Sequence, residues 1–299
     1  MDPFTLRSIV AGTDLSERSD DALRAAAAIA ELTDAALHVL HAYELEAVRG
    51  GPGGAPATFP ERVTEAERAL EDQVRRVVPG SLRVASQRVE VYLPYKAILE
   101  EAQRVSADLI VLGRHRGGEP RAILGTTADH VVRESTVPCL VVPGALRLPL
   151  RAVLVPLDPS KPAPGVARLA LSWASALGAG AASRPGTEVH MTMVLPESMA
   201  LAPGLEDTVR AAVEEELATA AGPGAFPAGV GVRWVSLRND SPARGILRYA
   251  EEVDADLVVM GTSAPGAVRR AILGSVASAV AKSARAPVLL VPLGQVQGA

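Results

Sequence analysis

The sequence predicts an α/β protein built from two doubly wound domains, each a five-stranded parallel sheet with helices on both faces. Internal repetition is the first observation behind this. RSIVAGTD (7–14) returns as RAVLVPLD (151–158), and ADLIVLG (107–113) as ADLVVMG (255–261). AILGT (122–126) returns as AILGS (271–275), and VPCLVVP (137–143) as APVLLVP (286–292). The four blocks keep their order at a period of roughly 148 residues, far too long for a solenoid, so a whole domain is duplicated. The second observation is that each copy alternates short, continuous apolar runs with helical patterns, which indicates a parallel sheet covered on both sides. The third is length: 299 residues suit two domains of ordinary size. The expected domains are 1–146 and 150–299, with a seam near Leu146–Arg151.

In the first copy, Ser8–Gly12 reads as a strand. Residues 17–32 read as a helix, with Ser16 as its cap and Glu17, Asp20 and Asp21 favouring its amino end. Leu37–Ala42 is the second strand. Gly50–Pro60, rich in Gly and Pro, reads as a loop. Val63, Ala66, Leu70, Val74 and Val77 follow at spacings of three and four, the stripe of an amphipathic helix. Leu82–Val91 is the third strand, and Pro94–Val105 a helix opened by its proline. Asp108–Gly113 and Pro138–Val142 complete the sheet.

The second copy follows the same plan. Leu205, Val209, Val213 and Leu217 lie four apart, as one face of a helix. Ser241-Pro242 reads as a cap followed by a first-turn proline. Asp256–Gly261 and Val288–Val291 are continuous apolar strands. Leu169–Ser183 is the longest run poor in charge, yet too short and too rich in Ala and Gly to span a bilayer.

Composition narrows the function. The chain is 48% apolar and 21% charged with a net charge of −4, so it carries no basic footprint for nucleic acid or an anionic membrane. Aromatic residues make up 3%, too few for a base-stacking platform. The single cysteine, Cys139, excludes an internal disulfide and fits a reducing cytoplasm. It reads as a small core residue.

In an open α/β sheet, ligands bind beyond the carboxyl ends of the strands, where strand order reverses. The first strand of each copy is followed by a carboxylate, Asp14 or Asp158. The fourth is followed by a glycine loop, 110–126 or 258–275, which leads to a glycine, a hydroxyl residue (Thr126 or Ser275) and a helix. Glycine admits close approach of backbone, and free N–H groups at a helix start favour an anion such as phosphate. The carboxylate suits a ribose or a base. Arg114, Arg116 and Arg121 read as exposed arginines, with countering of phosphate charge as the alternative, and His115 as an exposed loop histidine, with phosphate contact as the alternative.

The Asp after the first strand, the ADLIVLG and ADLVVMG strands, the glycine loops and the final PCLVVP and PVLLVP strands resemble the universal stress protein family in its tandem form, over nearly the whole chain. The resemblance implies ATP as a ligand and dimerisation through the last strand. In one chain, that strand would pair the two domains with each other; a homodimer of chains is the other assembly. Nucleotide-binding members carry Gly-x2-Gly-x9-Gly-Ser/Thr after strand four. The second copy keeps this length as Gly261, Ala264, Gly274 and Ser275, with alanine at the second glycine. The first runs from Gly113 to Gly125 and Thr126, one residue short. By the same resemblance Ala42 and Val194, ending the second strands, border the base, as do Thr13 and Leu157 before the aspartates. With its intact spacing and larger Val194, the second set is expected to bind more tightly.

No GxxxxGK[ST], HExxH or CxxC occurs, and no GxGxxG follows the first strand. His38 and His41 fall on opposite faces of one strand, a poor metal geometry. Neither a catalytic residue nor a metal ligand is assigned, and a need for magnesium is left open. The sequence thus points to a cytoplasmic stress protein holding an adenine nucleotide as a regulatory ligand, at most a slow ATPase. The competing reading is an interaction protein whose nucleotide sites have degenerated.

Overall fold

The computed structural model describes residues 5–44, 59–114, 124–158, 164–178, 186–198, 204–221, 227–262 and 273–292. The chain forms two compact units, one of Leu6–Ala145 and one beginning at Leu146.

The first unit runs β1 (Ser8–Thr13), α1 (Ser19–Thr33), β2 (Ala36–Tyr43), α2 (Phe59–Val77), β3 (Val84–Val91), α3 (Pro94–Arg104), β4 (Leu109–Gly113), α4 (Thr126–Glu134) and β5 (Cys139–Val142). Its strands lie in the order β3-β2-β1-β4-β5, and every pairing is parallel. The order reverses between β1 and β4, which places a crevice at their carboxyl ends. β4 is buried along LIVL, as an interior strand covered on both faces must be, and β5 is buried along all four residues. β3 edges the sheet and is only partly buried; its Arg88 and Glu90 put charge on that edge.

The second unit repeats the plan: β6 (Ala152–Leu157), α5 (Pro164–Leu177), β7 (Thr187–Leu195), α6 (Leu205–Ala221), β8 (Val230–Arg238), α7 (Pro242–Glu252), β9 (Leu257–Gly261), α8 (Ser275–Ser283) and β10 (Val288–Val291). Its order is β10-β9-β6-β7-β8, again parallel throughout.

Small residues set how closely α1 packs. Ala22, Ala25, Ala26, Ala27 and Ala30 are buried with Leu23 and Ile29, so alanine methyls let the helix lie near the sheet. In α2 the buried stripe is Leu70, Gln73, Val74 and Val77; an amide sits where the apolar periodicity predicts only hydrocarbon, and Val63 and Ala66 are half-buried. Trp173 is buried in α5. Cys139 is fully buried, and burial pushes its thiol up to about 12, so it packs as a small apolar group and is not a reactive thiolate.

Two expected caps are used differently. Ser16 is not the cap of α1, which starts at Ser19 with Arg18 at the N-cap; the Ser16 hydroxyl instead donates to Asp14 Oδ1 at 2.6 Å. Ser241 does precede Pro242 at the start of α7, but its side chain makes no capping bond. Most of the loop expected at Gly50–Pro60 lies outside the described residues; its last two residues, Phe59 and Pro60, open α2.

Candidate functional site

Six separate segments of the first unit meet around one cleft. The end of β1 brings Gly12, Thr13 and Asp14. β2 brings Leu40 and Ala42. The end of β4 and the start of α4 bring Leu112, Gly113, Arg114 and Gly125 through Ala128. Pro94 and Ile98 of α3 close one side, and Ser19 of α1 another. The empty space is about 640 Å³ with open solvent at the mouth included. All six residues expected at the first site, Thr13, Asp14, Ala42, Gly113, Gly125 and Thr126, line this cleft.

The turn after β1 is fixed by short hydrogen bonds. Asp14 Oδ1 accepts the Ser16 backbone N–H at 3.1 Å as well as the Ser16 hydroxyl. Thr13 Oγ1 accepts the Leu15 N–H at 3.0 Å, while Leu15 takes a left-handed φ of 64°. The Thr13 carbonyl meets His41 Nδ1 at 2.9 Å. Among the described residues, Asp14 Oδ2 makes no hydrogen bond, so one carboxylate oxygen shapes the turn and the other faces the cleft uncommitted.

At the far side, α4 opens at Gly125 without a side-chain cap. Its first backward bond runs from the Asp129 N–H to the Gly125 carbonyl at 2.9 Å. The N–H groups of Thr126, Thr127 and Ala128 are therefore left at the open helix end, beside the Thr126 hydroxyl. Gly125 has φ −57° and ψ 148°, backbone that any residue adopts. Gly113 shows no crowding either: among the described residues, a Cβ there would meet nothing closer than Ser19 Cα at 3.9 Å. Neither glycine is explained by conformation.

Arg114 corrects the expectation of an exposed side chain. It is 9% exposed and lies in the cleft wall, and its N–H donates to the Val142 carbonyl at 3.1 Å. Arg116, Arg121 and His115 lie outside the described residues.

The second unit reproduces the backbone of this arrangement. Gly274 caps α8 at φ −54° and ψ 146°. Its N–H donates to the Thr262 carbonyl at 2.8 Å, as that of Gly125 donates to Arg114 at 2.8 Å. Gly261 ends β9 and Ser275 opens α8, in the places of Gly113 and Thr126. A Cβ on Gly274 would meet Thr262 O at 3.6 Å, an ordinary contact. Ala264 lies outside the described residues. Asp158 follows β6 as Asp14 follows β1.

The side chains differ between the copies. Strand register matches Thr13 to His41 and Leu157 to Met193, which puts Ala42 and Val194 in equivalent places. Val194 packs on α7: a Cβ on Gly245 would lie 2.9 Å from Val194 Cγ1. Its bulk is taken up by that helix contact. Pro156 stands where the first unit has Gly12, and buried Leu157 where it has Thr13. The β1–β4 register runs on to Gly12↔Leu112, whereas β6–β9 is registered at Val153↔Leu257 and Leu154↔Val258.

Sequence reasoning missed Gly12, Ser19, Leu40, Pro94, Ile98, Leu112, Thr127 and Ala128 as lining. Alternation along β2 gives the signal for Leu40, which shares a face with Ala42. The rest follow from the order of strands, which no local pattern states.

A doubly wound α/β domain whose strand order reverses between its first and fourth strands, present twice in one chain, defines the class: a tandem α/β protein. The chain belongs to the universal stress protein family, whose family model matches residues 5–143 and again 149–292. A universal stress protein of Mycolicibacterium smegmatis is 31% identical, with 95% of this chain and 96% of the relative covered. One of Mycobacterium bovis is 29% identical, with 96% and 98% covered. Among solved structures, a universal stress protein from Archaeoglobus fulgidus shares the fold over 97% of both chains, with a TM-score of 0.67 at 19% identity. No helix among the described residues is long and apolar enough to cross a membrane.

Proposed function

We propose that this stress-family protein binds an adenine nucleotide such as ATP as a regulatory ligand, in the cleft of the first domain. The observation that carries this reading is the convergence of Asp14, Ala42, Gly113, Gly125 and Thr126 on one cleft from four separate segments. The open Oδ2 of Asp14 accepts a ribose hydroxyl. Leu40 and Ala42 supply apolar wall and leave room for a base. The α4 N–H groups and the Thr126 hydroxyl bind phosphate, with the Arg114 cation in the adjoining wall. Glycine at 113 and 125 then has a reason that backbone conformation does not supply, namely space beside the ligand.

The regulatory role rests on the lining. Asp14 is the one carboxylate among the described residues around the cleft, and one of its oxygens is committed to the turn. Bound nucleotide fixes the loops, and the loops set contacts with a partner.

We place the stronger site in the first domain, against the order expected from sequence. Val194 is spent on α7, and Pro156 and Leu157 replace a glycine and a hydroxyl. The second domain then binds weakly and serves interaction, the role the competing reading assigns to both. Cytoplasmic residence and pairing of the two domains through their last strands remain part of this proposal.

Calorimetric titration of ATP into the wild-type chain and Gly125→Val tests the reading. The valine side chain occupies the phosphate position, and the expected result is a loss of at least tenfold in affinity. Unchanged affinity removes the placement.

A further inference from the structure

The buried amide of Gln73 is the one polar break in the apolar stripe of α2. It is 3% exposed, and burying an amide is unfavourable unless its hydrogen bonds are made. All of those recorded go to one segment. Gln73 Oε1 accepts the Thr13 hydroxyl at 2.7 Å. Nε2 donates to Asp20 Oδ1 at 2.8 Å, to Ser19 Oγ at 3.1 Å and, at 3.4 Å, to the Ser16 carbonyl. Every partner lies between residues 13 and 20, around Asp14.

That segment needs outside support. Leu15 carries a Cβ at φ 64°, a conformation that persists only where its surroundings impose it. The Leu15 N–H is held by Thr13 Oγ1, and Thr13 Oγ1 by Gln73. Thr13, Asp14 and Ser19 all line the cleft. A second tie joins the same two elements one helical turn on. Arg76 reaches Asp20 with both terminal nitrogens, Nη2 lying 3.1 Å from Oδ1. Burial acts to raise the Asp20 carboxyl, but the bonds from Arg76 and Gln73 overcome that and hold it below the usual range. The second domain has Leu157 in the place of Thr13, with no hydroxyl for such a link.

We propose that Gln73 is a positioning residue for the nucleotide site: from α2 it holds Thr13, and through Thr13 it holds the turn that presents Asp14. This rests on the reading of the cleft as a nucleotide site, but the hold on the turn is measurable without ligand. The Thr13–Gln73 bond is the shared link, while Ser19 Oγ also meets Thr13 Oγ1 at 2.8 Å and Gln73 also reaches the Ser16 carbonyl, so each end carries one further contact to the same segment.

The test is amide hydrogen exchange in the full chain, free of nucleotide, for Gln73→Met, Thr13→Val, Thr13→Ser and the double variant Gln73→Met/Thr13→Val. Exchange at Leu15 and Ser16 is expected to rise at least tenfold in Gln73→Met and in Thr13→Val, and in the double variant by clearly less than the product of the two rises, because the shared bond is lost only once. Thr13→Ser, which keeps the hydroxyl, is expected to stay within twofold of wild type. Should Gln73→Met fail to fold, the contrast between Thr13→Val and Thr13→Ser still decides. Unchanged exchange in either single variant, or effects that multiply in the double, overturns the proposal. ATP titration of the same proteins is the second arm, with affinity expected to fall about tenfold in Gln73→Met. Absence of ATP binding to the wild type sinks the nucleotide reading, while the exchange result alone decides the hold on the turn.

Discussion

Asp256 Oδ2 accepts the backbone N–H of Ala152 at 3.1 Å and that of Arg151 at 2.7 Å. Asp108 Oδ2 does the same for Ser8 at 3.1 Å and Arg7 at 2.7 Å. The repeated ADL block is thus a repeated hydrogen-bond device: the carboxylate before the fourth strand ties down the start of the first. A hydrogen bond to a charged group contributes about 1.5–3 kcal/mol. Asp108→Ala is expected to destabilise the first domain by about 2 kcal/mol. Asp256→Ala is expected to cost the second domain more, because Asp256 also pairs with Arg147, Nε to Oδ1 at 2.8 Å. Urea unfolding followed domain by domain checks both the sign and the order.

Acid sensitivity follows from two histidines at the same register of β2 and β7. Burial depresses His190, where Glu188 opposes the effect and Arg233 adds to it; its Nδ1 meets the Tyr249 hydroxyl at 2.9 Å. Burial likewise depresses His38, against Glu101 and with Arg104. For each, the folded chain takes up its proton at lower pH than the unfolded chain, whose histidine titrates near about 6.5. The unfolded state therefore binds more protons in the window below that value. Stability is full above about pH 7 and falls as pH drops through the window toward the folded pKa. Thermal melts from pH 8 to 5 are expected to show this decline, and His190→Gln to flatten part of it. A melting temperature that rises on acidification contradicts the assignment.

Gly12 lines the cleft with Leu112 and Ile98 close against it. A Cβ there would lie 2.6 Å from Leu112 Cδ2 and 3.0 Å from Ile98 Cδ1. Both are ends of flexible side chains, and both residues line the cleft, so the strain is relieved by movement there. Gly12→Val is expected to cost about 1–3 kcal/mol of stability, the usual range for overpacking, and to weaken ATP binding further than that loss explains. Equal affinity for ATP in wild type and Gly12→Val, measured by calorimetry, removes Gly12 from the site.

The sheet was legible because it is made of runs. LIVLG and LVVMG are continuous apolar segments bounded by Asp and Gly, and they are the central strands found. Duplication set the domain plan. The candidate site was legible where chemistry sits in the backbone pattern: a carboxylate after a strand, and glycine with a hydroxyl before a helix. What stayed hidden depends on neighbours. Gln73 lies three residues after Leu70 and four before Val77, a spacing that fits the buried face, but an amide does not mark an apolar stripe and nothing local ties it to Thr13, 60 residues away. The burial of Arg114 has the same cause. The contact of Val194 with α7 has the same character, since only the missing side chain of Gly245 makes room for it.

The most direct test of the central claim is calorimetric titration of ATP into Asp14→Ala and Asp158→Ala, each against wild type. Asp14→Ala is expected to lose at least tenfold in affinity at the tighter site, a change of about 1.4 kcal/mol or more, while Asp158→Ala keeps it. Tight binding that survives in Asp14→Ala and vanishes in Asp158→Ala would contradict the placement of the nucleotide in the first domain.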